Sequence, residues 1–290
     1  MVTFNLLFNA VVTGVLLGGF YAAVTVGITI AFGMLDIVNI AHPVFIIMGS
    51  FVAYIVNRKL GLDPLLSVIL GAPLFFLVGV AIFQFYHAAF EKSGKGSLRG
   101  LAFFFGILFV IEVTLLLAFG VDYRLVQTSY IGPNIGFEHI DLPLRMVIPF
   151  VGSMALVTGL HLFFSRTFIG RAIMAVAQDE FALSLMAVDT VTVRQLAFGV
   201  AIATAAIAGG FLIVIQPVDP SLGREYIGRV FAICVLGGLG SIPGTVIAAL
   251  ILGIVETITS TLFGASWAPA VSFAALLLTL AIRPSGIMGR

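Results

Sequence analysis

The sequence predicts an all-α polytopic integral membrane protein with about eight transmembrane helices. Three observations carry that prediction. Mean hydropathy is +1.21. Hydrophobic residues make up 61% of the 290 and charged residues only 9%, whereas soluble domains carry about a quarter. The few charges are also clustered, leaving residues 1–35, 37–57, 65–90, 146–164, 195–215, 230–255 and 257–282 free of Asp, Glu, Lys and Arg.

Each of those stretches holds roughly the 20 residues that a membrane helix needs. Residues 101–119 add an eighth, interrupted only by Glu112. A transmembrane β-barrel would instead show segments of about ten residues with alternating polarity. Residues 1–30 lack a basic leader and a polar cleavage site, so they read as a first span. Cys234 lies alone in an apolar run and reads as a small buried residue. A net charge of +1 gives no reason to expect nucleic acid. The whole of 1–290 reads as a single transmembrane domain.

Charge does not fix the orientation. With every span simple, one side carries Lys92, Lys95, Arg99, Arg166, Arg171 and Arg194. The other carries Arg58, Lys59, Arg124, Arg145, Arg224, Arg229, Arg283 and Arg290. If 230–255 enters and returns, Arg283 and Arg290 change sides.

Residues 165–194 form the one long polar connection with an internal pattern. Charges stand at Arg166, Arg171, Asp179, Glu180, Asp189 and Arg194, with Ile169, Ile173 and Val176 on a helical stripe between them. That pattern predicts a short amphipathic helix, then a second one capped by Asp179 and starting near Glu180.

Two apolar regions are expected to break or re-enter, near 33–43 and 237–244. The first holds Asp36, Asn39 and His42 before Pro43. The second, Gly237-Gly-Leu-Gly-Ser-Ile-Pro-Gly244, concentrates glycines around one proline. Backbone groups freed there must be buried in protein or line a wet cavity. Tyr21 stands twelve residues before Gly33, and Tyr226 twelve before Gly238. Broken helices at matching places mark a transporter's substrate pathway. The competing reading is close helix packing, for which Gly14/Gly18, Gly240/Gly244 and Ala249/Gly253 have the small-xxx-small spacing.

Glu112 sits mid-span, where an ionised carboxylate costs roughly 2.5–3.5 kcal/mol on insertion scales. It must be protonated, paired or turned to a cavity, and no cation is near it in sequence. Glu256, at the end of an apolar run, reads as interfacial. No G-x-S-x-G, H-E-x-x-H or paired cysteines occur, and Gly94-Lys95 lacks the upstream glycine of a P-loop. Neither a catalytic constellation nor an ATP or metal site is expected in this chain.

Several motifs then fall together. Gly18-Gly-Phe-Tyr-Ala-Ala-Val-Thr-Val-Gly27, Gly33 with Asp36-Ile-Val-Asn-Ile-Ala-His42, Gly170-Arg-Ala with Ala177-Gln-Asp179, Val235 to Gly244, and Arg283-Pro-Ser-Gly-Ile-Met-Gly-Arg290 occur in order. They resemble the H-type membrane subunits of branched-chain amino acid ABC importers, a family that also includes urea and amide permeases. The resemblance implies a non-enzymatic permease of the bacterial inner membrane working by alternating access. Its implied partners are a second related permease, two cytoplasmic ATP-binding subunits that hold ATP and Mg, a periplasmic or lipid-anchored solute-binding protein, and membrane lipid.

It also implies a cytoplasmic coupling segment at about 165–194, with Gly170, Arg171, Ala172, Asp179, Ala182 and Asp189 docking an ATPase. Asn39, His42, Gly237, Gly238, Gly240, Ser241 and Gly244 are then expected to line or gate the pathway. Two departures bear on substrate preference and docking, since Pro43 and Ala187 stand where the family commonly has glycine. The rival readings are an ion-coupled secondary transporter centred on Glu112 and an assembly scaffold whose glycines only pack helices.

Overall fold

A computed structural model describes residues 4–91, 96–137 and 140–289. Helix α1 runs Phe4–Gly33, α2 His42–Leu60, and α3 Pro64–Tyr86 with a π-helical turn His87–Glu91. They are followed by α4 Gly96–Phe119, α5 Leu144–Arg166, α6 Phe168–Val176, α7 Glu180–Leu185 and α8 Thr190–Ile215. The last are α9 Leu222–Gly237, α10 Ile242–Phe263 and α11 Ala268–Ile282. One antiparallel hairpin, β1 Asn134–Phe137 with β2 Ile140–Pro143, lies between α4 and α5. Among the described residues, eight helices are long and apolar enough to cross a bilayer. The chain is therefore an all-α polytopic membrane protein. Lys92, Gly94, Lys95 and Arg290, used in the sequence reading, lie outside the described residues.

Lipid offers no hydrophobic force between helices, so close packing of small residues must hold the bundle. The longest helix, α1, lies antiparallel to α10 on that principle. A Cβ added at Gly18 would fall 2.7 Å from the Leu250 Cα, and one at Gly14 2.6 Å from the Ile254 Cα. The spacing expected at Gly14/Gly18 and Ala249/Gly253 is thus one contact seen from both sides. Helix α2 meets α8 in the same way, through Gly49 against Ala206 and Gly209 against Ile46. The most apolar stretches of α1 and α8 are 83% and 78% buried, against 22%, 22% and 17% for α3, α4 and α11. Helices α1 and α8 are the spine, and the other three leave most of their side chains on the outer surface of the bundle.

The count of eight spans agrees with the sequence reading, but one set of boundaries does not. Residues 230–255 form no single span. Helix α9 ends at Gly237, the chain turns through Gly238 (φ +97°) and Gly240 (φ +80°), and α10 starts at Ile242. Pro243 lacks the N–H that a continuous helix would use. The true seventh span is Ile242–Phe263.

Helix α9, at 16 residues, spans about 24 Å and is too short to cross. It follows the unwound stretch Gln216-Pro-Val-Asp-Pro-Ser221 and begins inside the membrane layer. Gly223 there lies against Val44 and Ile47 of α2, and α2 itself starts at His42, beside Val24 in the interior of α1. With α9 only partly crossing, Arg283 falls at the same end of the bundle as the polar segment. That end is the break face, and the opposite end is the far face.

Candidate pathway and coupling surface

The first break follows Gly33. Asp36 takes a left-handed backbone (φ +57°), the chain climbs back through 37–41, and α2 restarts with Pro43 in its first turn, where a missing N–H costs nothing. Asn39 and His42 are both fully buried. The His42 Nε2 lies 3.1 Å from the Val24 carbonyl oxygen. Its ring fits because residue 27 is glycine: a Cβ there would meet the imidazole Cε1 at 2.5 Å. His42 Nδ1 and both amide atoms of Asn39 have no protein hydrogen-bond partner. Buried amides are normally satisfied, so this break carries polar capacity that the packed helices do not use.

The second break meets the first. A Cβ on Gly33 would fall 2.0 Å from the Gly240 nitrogen, and one on Gly244 2.1 Å from the Gly237 carbonyl oxygen. Ser241 caps α10, accepting from the Gly244 N–H at 3.1 Å. Thr245 reaches Thr29 of α1 at 2.9 Å between hydroxyls. The last carbonyls of α9 are covered by the C-terminal tail, with the Ile287 N–H donating to Leu236 O at 2.8 Å and Met288 N–H to Gly237 O at 3.1 Å. A Cβ on Gly238 would strike the Gly289 nitrogen at 2.2 Å. Both breaks therefore meet on one face of the bundle.

The polar segment lies on that same face. Thr167 caps α6 and Asp179 caps α7, accepting from Ala182 N–H at 2.8 Å. The two predicted helices and the Asp179 cap agree with the sequence reading. The buried stripe is Gly170, Ile173 and Val176, and Ile169 is exposed instead. The reason is Gly170, whose Cα face touches α5 so closely that a Cβ would lie 2.2 Å from the Phe163 carbonyl oxygen. Arg171, Asp179, Ala182 and Asp189 are exposed, as are Phe168, Phe181, Leu185 and Met186, the last four at 73–81%. Ala187, where the family commonly has glycine, adopts φ +58°, a left-handed conformation that strains any residue with a Cβ.

Asp189 caps α8, accepting from both the backbone N–H and the hydroxyl of Thr192. Those bonds hold its carboxyl below the usual Asp range. A depressed carboxyl stabilises at neutral pH, and the contribution is lost as pH falls through its lowered value. Protection of the Thr192 amide, taken relative to its intrinsic exchange rate at each pH, is thus expected to fall on acidification. Asp189→Asn, which keeps a capping oxygen without the charge, should flatten that pH dependence.

Polar segment and first break are tied by one side chain. Arg194 donates to the Leu35 carbonyl at 3.4 Å and pairs with Glu180 at 3.5 Å. Between the elements lies a cavity of about 530 Å³, walled by Met34, Met174, Gln178, Gly240, Ser241 and His161, among others. Gly33, Gly240 and Ser241 thus meet at one cavity. Asn39 and His42 are not among its walls, and His42 lies against Val24 and Gly27 in the interior of α1.

Two intramembrane ion pairs complete the site. Glu112, 2% exposed, receives the Arg224 Nε–H at 2.8 Å and a second bond from Nη2. The cation missing beside Glu112 in sequence stands 112 residues away. Glu256 is also not interfacial: it is 3% exposed and pairs with Arg229 at 2.9 Å. Tyr21 and Tyr226 both lie beside that pair, so the tyrosines that stand twelve residues before each break share one cluster. Arg224 and Arg229 thus leave the loop-charge count altogether. Among the described residues, no group of three or more His, Cys, Asp or Glu is placed to hold a metal ion.

Broken helices, buried ion pairs and an exposed amphipathic segment define a multi-pass membrane protein with a discontinuous core of the kind used in transport. A family model described as the branched-chain amino acid transport system permease component matches residues 10–280. The chain belongs to that family of transport permeases. It is 28% identical over 290 residues to the high-affinity branched-chain amino acid transport permease BraD of Pseudomonas aeruginosa, covering 96% of this chain and 94% of the relative. It is 30% identical to the LivH permeases of Salmonella typhimurium and Escherichia coli, with the same coverage. The fold is also similar to PsaBC of Streptococcus pneumoniae, solved in complex with a Fab (TM-score 0.51, 17% identity, 98% of this chain and 94% of that one).

Proposed function

We propose that this chain is a membrane-spanning subunit of an ATP-binding cassette importer, moving branched-chain amino acids or a related small polar solute by alternating access. The observation that carries the reading is the placing of the polar segment. Its exposed Phe181, Leu185 and Met186 stand on the face where both breaks meet, and Arg194 links it to the first break. Large apolar side chains beside a membrane need a partner surface. A rigid push on α6 and α7 reaches the breaks through Arg194 and through the cavity wall at Met174 and Gln178.

On this reading α6 and α7 dock one of two ATP-binding subunits, which hold the ATP and Mg. A second, related permease completes the pathway, and a solute-binding protein delivers from the far face. The break face is cytoplasmic at a bacterial inner membrane. Among the described residues it carries Arg99, Arg166, Arg171, Arg194 and Arg283, against Arg58, Lys59, Arg124 and Arg145 on the far face, which is the sense of the positive-inside rule. The pairing of Glu112 with Arg224 removes the lone carboxylate on which an ion-coupled carrier would rest.

The test is the double variant Arg171→Ala/Asp179→Ala in the purified complex in liposomes. Leucine uptake should fall about ten-fold or more while ATP hydrolysis continues, the loss of one or two charge-assisted contacts at a docking surface. Uptake at the wild-type rate would exclude docking through this segment.

A further inference from the structure

Three cations converge at the far face, where α2 and α4 end side by side. A cavity of about 400 Å³ lies there, walled by Tyr54, Arg58, Lys59, Ala118, Phe119 and Arg124, and no Asp or Glu lines it. The guanidinium carbons of Arg58 and Arg124 each lie 5.9 Å from the centroid of the same Tyr54 ring. An aromatic face offsets part of one positive charge, but two guanidiniums and an ammonium around one recess repel one another. Among the described residues the one acid paired with them is Asp122, 4.0 Å from Arg124 and 81% exposed. An exposed pair of that kind contributes little.

The protein itself uses only part of this donor set. Cations near helix C-termini offset the dipole, and Arg124 does so by donating from Nη2 to the Phe119 carbonyl at 2.6 Å. Its Nε is buried with no protein partner. Arg58 makes one hydrogen bond, to the Tyr54 hydroxyl at 2.8 Å. Lys59 makes no hydrogen bond or ion pair among the described residues. Buried donors are normally satisfied, and guanidinium and ammonium groups around a recess match the oxygens of a phosphate.

The surroundings select the kind of phosphate. Arg58 and Lys59 lie in the last turn of α2, and Ala118 and Phe119 in the last turn of α4. That is the level where headgroups meet hydrocarbon, and basic pockets between membrane helices there suit lipid headgroups. Leu60, Leu117 and Val121, next to the wall residues in the chain, are 68%, 85% and 76% exposed. A soluble anion gains nothing from such an apolar rim, whereas an acyl chain does. Arg124 also pairs through its backbone with Val218, its N–H donating at 2.8 Å and its carbonyl accepting at 2.9 Å. An occupant of the recess therefore braces the unwound stretch before α9.

We propose that the recess between the ends of α2 and α4 binds the headgroup of an anionic phospholipid, its phosphate held by Arg58, Lys59 and Arg124 and an acyl chain lying along Leu117. The site stands apart from the polar segment and both breaks, and it does not depend on the importer reading. A zwitterionic headgroup would bring a further cation to a recess that already holds three, so the site discriminates against phosphatidylcholine.

The deciding experiment titrates the full chain, purified in mild detergent with any subunits that accompany it, with phosphatidylglycerol or phosphatidylcholine. Native mass spectrometry counts the bound lipids. Phosphatidylglycerol should bind about ten-fold more tightly, and Arg58→Gln/Lys59→Gln should remove most of that preference through the loss of charge-assisted contacts. Arg145→Gln/Arg166→Gln, which removes the same charge elsewhere, should leave it intact. Equal affinity for the two lipids, or equal loss in both double variants, overturns the site. Displacement of the lipid by millimolar inorganic phosphate would make this a free-anion site and overturn the lipid assignment.

A second measurement holds even if the recess variant assembles poorly. A ligand of the folded state raises its stability, so the unfolding temperature of the wild-type protein in mixed micelles should rise with phosphatidylglycerol and not with phosphatidylcholine. The absence of that difference overturns the proposal. So does a recess variant that keeps the lipid response but loses affinity for a solute-binding protein, because the cations would then dock protein.

Discussion

Gly33→Val is expected to abolish uptake and to destabilise the folded protein. A Cβ at residue 33 would lie 2.0 Å from the Gly240 nitrogen and 2.6 Å from the Gly240 Cα. Both are backbone atoms, so no side chain can swing aside. Relief requires α1 to move away from the start of α10, and that movement is opposed along the whole Gly14–Gly18 contact further up the same helix pair. Overpacking of this kind costs about 1–3 kcal/mol or more. It also holds the two breaks apart, so transport should fall further than stability does. Gly106→Ala is the matched control, since nothing lies within 4 Å of a Cβ there. Thermal unfolding in detergent and leucine uptake should both separate the two variants. Equal behaviour would mean that the contact between breaks is incidental.

Arg229→Met should be the most damaging single change to stability. It strands the Glu256 carboxylate, 3% exposed, between α1, α9 and α10. Removing one partner of a buried ion pair costs about 3–5 kcal/mol, because the remaining charge stays out of water. The arginine also covers the Tyr226 ring, 5.3 Å from its centroid, so some packing is lost with it. Replacing both partners by apolar residues of similar volume is often neutral. Arg229→Met/Glu256→Met should therefore recover most of the lost stability in detergent unfolding. If the double variant recovers stability but not uptake, the pair serves transport. If it recovers both, the pair is structural.

Much of this protein was legible in its residues, because the membrane imposes rules that act locally. A helix must be long and apolar to cross, so composition marked seven of the eight spans and misplaced the remaining one, the seventh in order, at 230–255. Glycine and proline break helices wherever they fall, so both discontinuities were visible as strings of letters. The Asp179 cap and the two short helices followed from spacing within one turn. Charges were the least legible residues. Glu112 looked solitary because Arg224 is 112 residues away, and Glu256 looked interfacial because its run of apolar neighbours ended there. The start of α9 was missed as well, although Pro217, Pro220 and Gly223 signalled it, because the glycines at its other end give the stronger local signal.

The sequence by itself determined which segments enter the membrane, where the backbone cannot stay helical, and that 165–194 has structure of its own. Each follows from interactions that reach a few residues along the chain: hydropathy, caps and the limits of φ. Only the tertiary structure decided that Gly33 meets Gly240, that the tail closes α9, that Arg194 ties the polar segment to the first break, and which charges neutralise each other. Those contacts join residues tens to hundreds of positions apart. They are selected by how closely α1, α8 and α10 pack, and no local rule encodes that geometry.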